Sequence, residues 1–129
     1  MTEDFIATEN GNIKISEEVI VRISAISARE VDGVAGLGSG SSWSDFLGKK
    51  TAAKGIKVES DENGTLIEVH VTVKFGVKIK EVAQRLQDSV RNAVEAYAGL
   101  ENVTVNVYID GIEAEKEIDS TKTDDEEEN

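Results

Sequence analysis

Residues 66–86, LIEVHVTVKFGVKIKEVAQRL, hold two rhythms joined at a glycine. Ile67, Val69, Val71, Val73 and Phe75 alternate with Glu68, His70, Thr72 and Lys74. That period of two places every second side chain on one face of a strand. Beyond Gly76, Ile79, Val82, Ala83 and Leu86 recur at spacings of three and four, and Val90, Ala93, Val94 and Tyr97 continue the stripe. This is the period of a helix with one buried side, while Arg85, Asp88, Arg91 and Glu95 face water. The pattern predicts a helix over 79–98, and Gly99 stands where a C-terminal cap belongs.

The other segments follow the same two rules. Asn12–Ile15 reads as a short strand. Ser16 can cap a helix whose first turn holds Glu17 and Glu18, where the helix dipole favours acids. That helix runs to about Val31, with Val19, Ile20, Ile23, Ile26 and Val31 on its apolar side, and Asp32-Gly33 ends it. Its small residues Ser24, Ala25, Ser27 and Ala28 predict close packing against a sheet, with docking against another helix as the sharper alternative. Residues 55–59 read as a strand, Asn63-Gly64 as a tight hairpin turn, and 66–75 as the return strand. Val103, Val105, Val107 and Ile109 alternate with polar residues in a final strand. The order is β-α-β-β-α-β. Strands apolar on one face only imply an α+β fold, one mostly antiparallel sheet with two helices packed on one face and the other face wet. The domain occupies 11–112, between a flexible arm at 1–10 and a disordered acidic tail at 113–129. A Gly/Ser-rich connector, 36–55, lies within it.

Composition removes several kinds of chemistry. The 129 residues include no cysteine, which excludes disulfides, thiolate zinc sites and cysteine nucleophiles. The formal net charge is −12, and residues 113–129 carry nine acids against Lys116 and Lys122. Phosphate backbones and anionic lipid surfaces repel such a chain, so neither nucleic acid nor direct membrane insertion is expected. No apolar run approaches the roughly 20 residues that span a bilayer. The acidic, polar N-terminus does not resemble a secretory signal, and the protein reads as cytoplasmic.

Little remains that is reactive. His70, the sole histidine, falls on the polar face of its strand and lacks a second imidazole for a metal site. Gly36, Gly38 and Gly40 follow a helix rather than a strand, and no phosphate-loop motif is present. The DDEEE run at 124–128 lacks the spaced oxygens of a calcium loop. No catalytic residue, metal ligand or cofactor is assigned. The connector holds a miniature amphipathic turn: Trp43, Phe46 and Leu47 at i, i+3, i+4, beside Lys49, Lys50 and Lys54. These three residues cover one end of the core, or dock a protein partner, since Trp anchors dominate interfaces, or touch a membrane surface, for which they are too few to insert stably.

Three stretches together carry a resemblance. GNIKISEEVIVRISAISAREVDGVAGL (11–37), KGIKVE (54–59) and VTVKFGVKIKEVAQRLQDSVRNAVEAYAGLENVTVNVYIDGI (71–112) are similar to the alkaline shock protein family, the envelope-stress-response proteins of Gram-positive bacteria. Lys80 stands where that family often has proline. The resemblance implies a cytoplasmic, non-enzymatic interaction or scaffold protein of cell-envelope homeostasis. It further implies protein partners, among them a small membrane-anchoring protein that holds it near the membrane, and self-association as a homo-oligomer. Other members are linked to fatty-acid or lipid metabolism, which leaves regulation of a lipid enzyme as an alternative. A KH-like nucleic-acid module is a weaker rival, because it needs a basic G-x-x-G loop that GLGSG does not supply.

Overall fold

Ser16 opens the first helix as its position predicts. Its hydroxyl accepts from the Val19 N–H at 3.4 Å, and helix α1 runs over Glu17–Arg29. The computed structural model describes residues 5–38, 52, 53 and 55–114. Ahead of α1, β1 (Phe5–Thr8) pairs antiparallel with β2 (Gly11–Lys14). The Thr8 hydroxyl closes the turn, donating to the Gly11 carbonyl at 2.8 Å and accepting from the Asn10 N–H at 3.2 Å. This two-stranded sheet differs from the expectation on two counts: part of the N-terminal arm is a strand, and the strand before α1 pairs with it instead of joining the main sheet.

The main sheet comprises β3 (Val34–Leu37), β4 (Ala52–Ala53), β5 (Ile56–Asp61), β6 (Gly64–Lys74) and β7 (Val103–Glu113). Strand β6 is its middle. Along one edge β5 pairs antiparallel with Gly64–Val69, and β3 then takes over antiparallel along Val71–Val73. The handover falls at His70, whose N–H donates to the Gly55 carbonyl at 2.8 Å while its carbonyl accepts from the Gly38 N–H at 2.6 Å. Along the opposite edge β7 runs parallel to β6, from Thr65↔Val103 to Lys74↔Glu113. The β5–β6 hairpin turns where Asn63-Gly64 predicts: the Asn63 N–H donates to Asp61 Oδ1 at 2.8 Å, and Gly64 takes φ +143°.

Both helices cover one face of this sheet. Ile56, Val58, Ile67, Val69, Val71, Val73, Val103 and Val105 meet Ile20, Val21, Ala25 and Ala28 of α1 and Val82, Leu86, Val90 and Val94 of α2 (Ile79–Ala98) in a single core. Small residues bring the helices together. Ser24 and Ala28 are wholly buried, and the Ser89 hydroxyl on α2 donates to the Ser27 carbonyl at 3.3 Å. The α+β arrangement and its one-sided helices are those the hydrophobic pattern predicts.

Five apolar residues expected on the buried side are instead exposed: Val19, Ile26, Phe75, Ile79 and Tyr97. In α1 the buried arc runs through Ile20, Ser24 and Ala28, and Val19 and Ile26 lie beyond its margin. In α2 the buried positions Val82, Leu86, Val90, Val94 and Ala98 step by four, so the row rotates roughly 40° per step. That rotation carries Tyr97 off the covered face. Phe75 escapes because pairing in β6 stops at Lys74, and the Val77 N–H to Lys74 carbonyl bond already turns the chain toward α2.

Candidate functional site

The wet face of the sheet concentrates its polar chemistry at one point. Parallel pairing sets His70 of β6 opposite Tyr108 of β7. Their rings stack 4.6 Å apart and 9° from parallel. The ladder then shifts register: Ile109 pairs with Val71, Gly111 pairs with Thr72, and Asp110 is the extra residue of the bulge. Its carboxylate reaches His70 Nδ1 at 2.7 Å, with both side chains about a quarter exposed, at 25% and 29%. Beside them the Thr72 hydroxyl donates to the Gly38 carbonyl at 2.9 Å, so the strand handover and the bulge share one neighbourhood.

His70 therefore lies on the open sheet face, where its alternation predicts. The role of Asp110 was not legible, because it comes from a strand 40 residues away. The interruption of V-x-V-x-V-x-I by Asp110-Gly111 is the trace it leaves in the sequence. The pair orients an imidazole against a carboxylate and braces β7 to β6. Among the described residues no group of three His, Asp or Glu side chains gathers closely enough to hold a metal. A double-mutant cycle with His70→Ala and Asp110→Ala, read by urea unfolding, gives a coupling of about 0.5–1.5 kcal/mol if the contact is a brace, at the lower end because it is partly solvated.

Two apolar surfaces lie elsewhere. The outward sides of α1 and α2 bound an open groove of about 530 Å³, lined by Ile23, Ile26, Ser27 and Glu30 from α1 and by Ser89, Asn92, Ala93, Ala96 and Tyr97 from α2. Ile26 is 51% and Tyr97 79% exposed. The second surface is the β6–α2 turn, residues 74–80, which carries Lys74, Lys78 and Lys80 and no acid. Phe75 stands 75% exposed within it, and Ile112 of the neighbouring β7 is 51% exposed. Lys78 is the N-cap of α2 and makes no side-chain capping bond. Trp43, Phe46 and Leu47 lie outside the described residues, so the docking turn expected there has no structural account.

Among the described residues no helix is long and apolar enough to cross a membrane. The model of the alkaline shock protein family, described as of cell envelope-related function, matches residues 6–114. The uncharacterized protein Spy1614 of Streptococcus pyogenes is 37% identical over 111 residues, covering 83% of this chain and 92% of that protein. The uncharacterized protein YqhY of Bacillus subtilis is 33% identical over 121 residues, covering 92% of this chain and 90% of that protein. Among solved structures, MamM-CTD H285A superposes with a TM-score of 0.44 at 14% identity, over 77% of this chain and 98% of that one.

Proposed function

Because the chain belongs to the alkaline shock protein family, whose function is cell envelope-related, we propose that it is a non-enzymatic scaffold of the envelope stress response. It works by binding other proteins. The observation that carries this reading is the helical groove: Ile26 of α1 and Tyr97 of α2 both line it and remain solvent-facing. An aromatic and a branched aliphatic side chain beside the small Ala93 and Ala96 form a shallow seat for an apolar helix. The proposed occupant is a small membrane-anchoring protein, which holds the scaffold at the cytoplasmic side of the membrane. A tether suits a chain of net charge −12, which an anionic surface repels. Trp43, Phe46 and Leu47 are proposed as a further contact with the same partner.

Affinity purification of the full chain from membrane and soluble fractions tests the reading. The expected result is a small membrane protein recovered in stoichiometric amount. The Ile26→Asp/Tyr97→Asp double variant should melt within a few degrees of the parent, yet lose that partner by at least about 30-fold, the equivalent of one hot-spot contact of about 2 kcal/mol. Recovery of the partner undiminished by the double variant would move the interface elsewhere. Recovery of none in either fraction would defeat the scaffold reading.

A further inference from the structure

The groove between α1 and α2 changes character along its length. Two contacts fix the relative direction of its walls. Ser27 bonds to Ser89, whereas Gly33, later in the chain, lies so close to Val82, earlier on α2, that an added Cβ would stand 2.8 Å from its Cγ2. The helices therefore run antiparallel, with Ile23 toward Ala96 and Tyr97 and Glu30 toward Ser89. One end of the groove is apolar, built from Ile23, Ile26, Ala93, Ala96 and Tyr97. The other holds Ser27, Ser89 and Glu30, and Glu30 is the only charged side chain that lines the groove among the described residues.

Glu30 is an odd choice for its position. It is the C-cap of α1, where the helix dipole favours a cation and disfavours a carboxylate. Its side chain enters no ion pair with another described residue. Arg29 precedes it, but adjacent helical residues point to different sides. The arginines of α2 are engaged elsewhere, Arg85 with Glu81 at 3.7 Å and Arg91 with Asp88 at 3.9 Å. Asp32, two residues on, adds a second acid. In the open groove water satisfies the Glu30 carboxylate. A helix laid over the groove removes that water and leaves a charge that only an incoming cation offsets. Ile23 and Glu30 are seven residues apart, about two turns and roughly 10 Å along the groove. We propose that the groove selects, among apolar helices, one that carries a lysine or arginine about seven residues from its bulkiest apolar side chain. The apolar side chain seats beside Tyr97, and the cation pairs with Glu30. This inference rests on the groove as the docking seat and adds the charge of the occupant and its spacing.

The test offers the full chain a displayed library of peptides of about 18 residues, long enough to be helical alone. Each holds one leucine or aromatic anchor, with every residue type allowed about two turns to either side of it. Helices selected by the parent should carry Lys or Arg at one of those positions. Against Glu30→Lys the selection should turn to Asp or Glu, and a parent-selected helix should lose at least about tenfold in affinity. Unfolding does not imitate this result: a cation suits a helix C-terminus, so Glu30→Lys should melt no lower than the parent. Groove-bound helices with no charge preference, or with the same preference against Glu30→Lys, overturn this inference and leave the groove as a seat. If no helix is selected, or if the selected helices bind Ile26→Asp/Tyr97→Asp equally well, the groove reading falls and this inference with it. Self-association of the parent that Ile26→Asp/Tyr97→Asp abolishes does the same, since it gives the groove to a second copy.

Discussion

Gly55→Ala destabilises the fold by about 3 kcal/mol, the sum of a left-handed backbone cost of about 1–2 kcal/mol and a packing cost of about 1–3 kcal/mol. Gly55 has φ +83°, a region that other residues enter reluctantly. An added Cβ would stand 2.6 Å from the Gly38 nitrogen and 2.7 Å from the His70 carbonyl oxygen. Both are backbone atoms, and both belong to the hydrogen bonds through which β6 passes from β5 to β3. No flexible side-chain tip is available to move aside. The methyl group therefore has to push apart two strands whose inner faces are in the core. Urea unfolding checks this, with Gly36→Ala as the control, since a Cβ there meets nothing within 4 Å. A loss below about 1 kcal/mol at Gly55 would mean that the junction slides freely, contrary to the geometry.

Leu86→Ala costs about 2–5 kcal/mol. Leu86 is fully buried in the α2 row and is among the largest side chains with no solvent contact. The core it belongs to is rich in β-branched residues, Ile67, Val69 and Val90 among them, which are stiff about χ1 and relax poorly into the space it leaves. The midpoint of urea unfolding should fall with its slope unchanged, as expected when stability alone is altered. The adjacent Arg85→Ala removes an exposed partner 3.7 Å from Glu81 and should change stability by less than about 0.5 kcal/mol. Equal losses at the two positions would contradict the inward orientation of the Leu86 row.

The core was legible because its residues keep strict time. Val69 and Val71 alternate, Val82 and Leu86 repeat, and all four reach the interior their period assigns. What escaped has physical causes. Strand β3, VAGL, is too short and too rich in small residues to display a period, and it exists because the far half of β6 needs hydrogen bonds on that edge. The parallel direction of β7 cannot be read from alternation, which is the same for either sense. The two-stranded β1–β2 sheet has an entirely exposed β2, so no buried face announces it. The candidate site was half visible. His70 was singled out by its rarity, whereas its contact with Asp110 depends on a bulge that appears only once β6 and β7 are in register. The helical groove was hidden by the assumption that every apolar residue in a stripe is covered, which Ile26 and Tyr97 violate.

The central place of β6 also bears on how the molecule comes into being. One of its edges is filled by neighbours made before it, β3 and β5, while the other waits for β7, which follows a whole helix later. As the polypeptide leaves the ribosome, an almost complete sheet must stand with a bare side of unpaired amides and exposed valines until Val103–Glu113 arrives. Nascent chains interrupted in α2 are thus the form most apt to stick to one another or to recruit chaperones, and the speed at which the remainder is synthesised governs how long that hazard lasts.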